Sequence, residues 1–393
     1  MTSQCSPSID AITHKLGFTC QDSPALLRLS NPAHLTNWTL PVLELLIVAG
    51  AAFALWWAVR RYRRENDPVN LMLWLATVLY LLIVEPPLYF PAVFGVDQSI
   101  GAVFAHNIFT VQFLYDRLPL YIVALYPAMA TLAYEIVRSL GIFRTRGTII
   151  GSVCVGFVHN LFYEVFDHLG PQLQWWAWNT ETPVNRPMLA SVPMSSLLLF
   201  ATVGPAVLTF LVVTFAGRAR DGENTLSSAS LALRTLGAAV LMPVALVVVN
   251  IPIALVKGDD PDGAWRWAVY VCFLAVFAGI SLWAIAGQLG PLRRSGRFPA
   301  IRPNNFVRIF GSTYLIVMAG LWISALPAHL SSDTDTSSVS TPLGSLPYVI
   351  VCFVLAALTV AAVSITGRPA ASDQPGKSES VMAAAAPARK ENQ

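Results

Sequence analysis

The chain has 393 residues, of which 55% are hydrophobic and only 12% are Asp, Glu, Lys or Arg, with a formal net charge of +3. A soluble domain carries roughly twice that charged fraction, so these charges cannot coat a water-exposed surface, and much of the chain must face lipid. So small a net charge argues against nucleic acid as a partner. No Walker lysine loop, His-rich di-iron box, GxSxG elbow or paired Asp-rich magnesium motif occurs, so neither metal nor cofactor is expected.

Residues 1–39 are expected to form a short external segment. It lacks a basic start followed by an apolar core, so the first span must itself direct insertion. Cys5 and Cys20 both precede that span and can pair in an oxidising compartment, because a loop of fifteen residues closes without difficulty. Cys154, Cys272 and Cys352 lie inside apolar runs and read as small hydrophobes. Asn37-Trp38-Thr39 matches a glycosylation sequon but lies too near the membrane for modification to be expected.

Apolar stretches long enough to cross a bilayer then recur nine times, at 40–59, 70–94, 118–138, 147–166, 192–216, 231–256, 265–289, 307–327 and 346–366. Pro86, Pro87 and Pro91 predict that the second span is broken or bent at its far end. Ile100 to Phe113 is apolar but interrupted by His106, Asn107 and Gln112, and reads as a re-entrant or interfacial helix. Residues 367–393 are rich in Ala, Pro, Ser and Lys and read as a disordered tail. The expected architecture is an all-α, polytopic helix bundle over 40–366.

Basic residues mark every second loop: Arg60 to Arg64, then Arg138, Arg144 and Arg146, then Arg218, Arg220 and Arg234. Arg293, Arg294, Arg297, Arg302 and Arg308 continue the pattern, and Arg368 and Lys377 end it. The alternate loops carry Asp97, Asp116, Asp259, Asp260, Asp262, Asp333 and Asp335. By the positive-inside rule, the N-terminus is expected outside and the C-terminus in the cytoplasm, in a bacterial plasma membrane.

An ionisable side chain in the bilayer is costly, and each one asks for a reason. Glu85 lies in the outer part of the second span, and Glu44 near the outer end of the first. The fourth span ends in a polar run in which Asn160, Glu164 and Asp167 recur at helical spacing. His159 and Tyr163 form a neighbouring stripe. Two carboxyl groups one turn apart repel when both are ionised, which favours one of them as a proton donor. Glu135 stands three residues before Arg138, so a local ion pair explains it. Trp175, Trp176 and Trp178 follow the fourth span; such residues anchor membrane boundaries, and their faces also stabilise cations.

The segment from His159 to Pro193 resembles the integral membrane hydratases and cyclases of carotenoid and terpenoid biosynthesis. The residues that carry the likeness are Glu164, Trp175-Trp176-Ala177-Trp178 and Val192-Pro193, with Glu85-Pro86-Pro87 resembling the Pro-flanked carboxylates of membrane lycopene cyclases. The resemblance implies a membrane lipid or isoprenoid substrate. The expected function is therefore acid–base cyclisation, hydration or isomerisation of a hydrophobic substrate at an outer-leaflet site. Glu164 is the expected proton donor, Glu85, Asp167 and Asn160 its partners, and His159, Tyr163 and the three tryptophans the binding wall. Two alternatives remain open from the same residues: a proton-coupled transporter or permease, and a non-catalytic membrane component.

Overall fold

The computed structural model describes residues 5–221, 224–255, 263–295, 301–331 and 341–365. Among them, nine helices are long and apolar enough to cross a membrane, and the chain is a multi-pass integral membrane protein. The expected loop charges Asp259, Asp260, Asp262, Arg297, Asp333, Asp335, Arg368 and Lys377, and the tail 367–393, lie outside the described residues.

Helix α1 (Pro7–Lys15) starts from Ser6, whose hydroxyl accepts the Ile9 N–H at 3.4 Å. Cys5, just before it, is joined by a disulfide to Cys20. Strand β1 (Leu27–Leu29) leads into the first span, α2 (Thr39–Glu65), which returns as α3 (Val69–Tyr89). The helix continues through Pro86 and Pro87 and stops before Pro91, so this span is shorter than the sequence suggests.

A single turn, α4 (Asp97–Ile100), then precedes three short strands: β2 (Phe104–His106), β3 (Val111–Phe113) and β4 (Leu118–Pro119). The helix expected at 100–113 is therefore absent, and extended chain stands in its place. The reason is pairing: β3 lies between β1 and β4, while β2 pairs with a strand seventy residues further on.

Helices α5 (Leu120–Ser139) and α6 (Ile142–Asp167) follow. Gly147, with φ 79° and ψ −178°, interrupts α6 close to its start, a conformation open to glycine alone. Strands β5 (Trp176–Trp178), β6 (Met188–Leu189) and β7 (Val192–Pro193) come next. The fifth span begins only at Ser196, as a π-helical stretch (Ser196–Val203) running into α7 (Gly204–Ala216). Four further helices complete the described chain: α8 (Ser228–Ala254), α9 (Ala264–Ser295), α10 (Ser312–Ser331) and α11 (Leu346–Ile365).

Burial separates the helices into a centre and a periphery. The apolar windows of α5 and α6 are 83% and 78% buried, those of α8 and α9 only 22% and 17%. So α5 and α6 form the core, and the outer faces of α8 and α9 are left for lipid.

Each end of the bundle is closed differently. At the arginine end, Arg61 Nη2 meets Asp67 Oδ2 at 2.8 Å and Glu65 Oε2 at 2.9 Å. Glu135 lies 3.6 Å from Arg138 Nη1 and 3.7 Å from Arg61 Nε, and accepts hydrogen bonds from Asn70 at 2.7 Å and from Asn304. The expected local pair of Glu135 and Arg138 is thus part of a larger buried network tying α2, α3 and α5 to the segment before α10. At the opposite end the N-terminal residues form a cap. Arg28 forks onto Asp116, with Nε at 3.0 and 2.9 Å from the two carboxylate oxygens. Glu44 accepts the backbone N–H groups of Thr110 and Val111 at 3.0 and 3.2 Å. Asn37 Nδ2 donates to Leu173 O at 3.0 Å, so the amide of the sequon is already engaged.

Candidate functional site

Hydrogen bonds and Arg28 account for Glu44 and Asp116. Three further carboxyl groups at the capped end, Glu85, Glu164 and Asp167, are buried, and among the described residues no lysine or arginine pairs with them. They define the candidate site.

A lid covers it. Strands β2 and β5 pair antiparallel, with Phe104 opposite Trp178, Ala105 opposite Ala177 and His106 opposite Trp176. Both strands read large-small-large, and alternate residues of a strand point to opposite faces. The four large rings therefore lie together on one face, with Phe104 and Trp178 at 5.3 Å and His106 and Trp176 at 6.3 Å between centroids. Ala105 and Ala177 turn the other way, onto Ile9 and Ile12 of α1 and Leu16 just after it. Gly170 makes room for the Trp176 ring, which a Cβ at that position would strike.

Under the lid is a small cavity. Glu85 and Asp167 both line it, with Tyr126 and Tyr163, and the aromatic wall comprises Phe104, Phe166, Trp176, Trp178 and Phe200. Tyr126 donates its hydroxyl proton to Glu85 Oε1 at 2.6 Å, and Ser196 donates to Asp167 Oδ2 at 2.8 Å. Trp176 Nε1 and Trp178 Nε1 are buried donors without an acceptor among the described residues. His106 completes the rim; its Nδ1 lies 3.1 Å from the Tyr121 hydroxyl. Burial pushes the His106 imidazole down to about 3, so it is neutral at ordinary pH.

Tyr126, Tyr163 and Phe200 are shared with a second cavity deeper in the bundle, which also contacts Tyr80 and His159. His159 stacks on Tyr163 at 5.5 Å, and its Nδ1–H donates to Ala201 O at 2.8 Å. The sequence explains this bond. Pro205 has no N–H to offer the carbonyl four residues before it, and His159 supplies the missing donor. The neutral ring then presents Nε2 as an acceptor. Gly156 lets α6 approach this π-helical stretch closely, since a Cβ there would run into Thr202 O and Ala206.

The face shared by Asn160, Glu164 and Asp167 divides between two neighbourhoods. Asp167 opens on the aromatic cavity. Asn160 instead bonds Thr202 and the Tyr348 hydroxyl, each at 3.1 Å. Glu164 is fully buried, and its Oε2 lies 3.4 Å from His168 Nε2. His168 Nδ1 accepts the Ser345 N–H at 3.3 Å, so the Nε2 facing Glu164 must carry hydrogen. Trp175 is separated from its neighbours too: it is fully buried, bonds Thr39 Oγ1 at 2.8 Å and stacks on Phe166. It anchors α2 to the segment before β5 and is not part of the cavity wall. His106, Tyr126 and Phe104 enter the cavity without having been singled out from sequence for the site. The large-small-large pattern of 104–106, matching that of 176–178, is the signal that finds two of them.

The fold and site together define a polytopic membrane protein with an aromatic cavity holding two carboxyl groups near one end of its spans. Neither the family models, the curated proteins nor the solved structures compared with the chain include a match.

Proposed function

We propose that the protein is a membrane enzyme that performs acid–base chemistry on a hydrophobic isoprenoid or related lipid within the cavity beneath the lid. The observation that carries this reading is the placement of Glu85 and Asp167 on one aromatic cavity with no arginine or lysine, among the described residues, to hold them ionised. A carboxylic acid in such surroundings keeps its proton and can give it to a carbon–carbon double bond. The carbocation formed on the substrate would lie among the faces of Tyr163, Phe166, Trp176 and Trp178, which stabilise positive charge. Its charge is discharged in one of two ways. A C–H proton returns to a carboxylate, giving isomerisation or cyclisation, or water adds and releases a proton, giving hydration.

Glu85, held by Tyr126, is the first choice of proton donor, and Asp167, held by Ser196, the acceptor. Glu164 stands one turn from Asp167 on α6 but faces His168, so its role in this reading is to exchange protons with Asp167. The same chain of groups, from Glu85 through Asp167 and Glu164 to His168, also favours a second reading, a proton path in a transporter. The two separate cleanly: an enzyme changes the mass or isomer of a lipid in cells that produce it, a transporter changes only its distribution.

We also infer that the lid end lies outside the cytoplasm of a bacterial cell, because the arginines gather at the other end. Reporter fusions at Arg146 should then report cytoplasm and fusions at Glu181 outside; the reverse answer would turn the protein over.

A further inference from the structure

The deeper cavity, which shares Tyr126, Tyr163 and Phe200 with the cavity under the lid, has a different chemistry. Among the described residues, no Asp, Glu, Lys or Arg lines it. Its polar groups are few, and most are already engaged. Thr77 gives its hydroxyl proton to Trp74 O at 2.7 Å, and Tyr126 gives its own to Glu85 at 2.6 Å.

Tyr80 and His159 are the exceptions. Tyr80, on α3, is only 4% exposed, and its hydroxyl has no hydrogen-bond partner among the described residues. That hydroxyl reaches the cavity wall at Gly204, 3.8 Å from where a Cβ on this residue would stand. His159, on α6, is bonded through Nδ1 to Ala201 O, which leaves the Nε2 lone pair to offer. Ala201 and Gly204 stand three residues apart on the fifth span, so they share one face of it. Tyr80 and His159 thus reach the same turn from opposite neighbours, one with a proton to give and the other with a lone pair.

We infer that the substrate is a neutral lipid alcohol, whose hydroxyl is held by Tyr80 and His159 in the deeper cavity. A hydroxyl group suits the pair because it accepts from Tyr80 and donates to His159 at once. An ether or ketone oxygen would satisfy Tyr80 alone. A carboxylate or phosphate would be buried with no cation beside it, which is costly. The apolar chain of the alcohol then runs past Tyr126, Tyr163 and Phe200 towards Glu85 and Asp167. Tyr80 is on this account a positioning residue, since it sets which part of the chain stands at the two carboxyl groups. The inference rests on the proposed acid–base chemistry for what happens at those groups, but the binding of the hydroxyl does not depend on it.

Full-length protein purified in detergent tests this with tritiated geranylgeraniol, displaced either by the unlabelled alcohol or by its methyl ether. The ether keeps the chain and the oxygen but has no proton to donate. The variant is Y80F, which keeps the ring and removes only the hydroxyl. Saturable binding is expected, with the alcohol displacing at a concentration at least tenfold below that of the ether. In Y80F the gap should close to within threefold. Because the lost hydroxyl is a buried donor without a partner, the unliganded melting temperature of Y80F should equal or exceed that of the parent. Absence of saturable binding, equal displacement by the two compounds in the parent, or an undiminished gap in Y80F overturns the inference. So does a Y80F protein that melts well below the parent, since the fold would then already use the hydroxyl. E85Q separates this inference from the catalytic reading. Preference for the alcohol in both the parent and E85Q, with no lipid product in cells, keeps the binding site and removes the chemistry. A product that depends on Glu85, with no preference for the alcohol, removes the binding site alone.

Discussion

Tyr126 on α5 donates its hydroxyl proton to Glu85 on α3 across 2.6 Å, in a part of the bundle where, among the described residues, no cation accompanies the carboxyl group. The bond fixes the carboxyl group at the cavity wall. It also joins two spans at their polar ends, so the same contact belongs to both packing and chemistry. Asp167 on α6 has an equivalent tether in Ser196, the first residue of the π-helical stretch. The cavity therefore has two carboxyl groups, each held by one hydroxyl, on helices that approach from different sides.

The lid gives a prediction about the disulfide. The Cys5–Cys20 bond closes a loop of fifteen residues around α1, whose apolar face covers Ala105 and Ala177 of the lid. On the chain-entropy account such a crosslink stabilises by about 3 kcal/mol. Replacing both cysteines by serine should lower the melting temperature and loosen the lid, seen as faster proteolysis within residues 5–38. Alkylation before and after reduction checks the bond itself. Labelling of both thiols without reductant would contradict it.

His106 predicts an acid-side dependence. In the unfolded chain it takes up a proton near 6.5, whereas burial holds the folded value at about 3. Between these limits the unfolded state binds more protons, so stability is complete above about pH 6.5 and falls as pH drops towards 3. H106F removes this titration. Melting temperatures measured from pH 7 to pH 4 should therefore decline less steeply in H106F than in the parent; parallel slopes would contradict the buried, neutral imidazole.

Glu135 is predicted to be structural. It is fully buried between two arginines and accepts hydrogen bonds from Asn70 and Asn304. E135Q would turn an amide donor towards groups that are already donors. Breaking a buried pair in this way costs on the order of 3–5 kcal/mol. Yield and melting temperature should both fall, and an E135Q protein as stable as the parent would remove the network from the account.

How much of this was legible in the sequence differs by element. The nine spans stand out because twenty apolar residues in a row have few other uses, and Glu85 and Asp167 stand out because charge in such a run is costly. The strands did not. β2 and β5 have three residues each, too short for a periodic signal, and their partner strands are distant in sequence. Residues 100–113 consequently read as an interfacial helix, though Phe104-Ala105-His106 alternates as a strand does. Helical spacing correctly placed Asn160, Glu164 and Asp167 near one another. It could not tell which neighbour each would meet, because a helix packed on several sides splits a broad face among them. Trp175 shows the same limit: its position in a tryptophan run suggested the wall, but pairing of β5 with β2 sends only alternate rings to the cavity.

The most direct test is the lipid profile of cells producing the parent or E85Q, set beside the melting temperatures of the two purified proteins. The amide introduced by E85Q retains a carbonyl oxygen to accept the Tyr126 O–H, so the fold should hold, but it cannot give up a proton as an acid. The account predicts a lipid product, altered in mass or double-bond position, that is present with the parent and absent with an equally stable E85Q. A product formed as fully by E85Q as by the parent would contradict acid–base catalysis at Glu85.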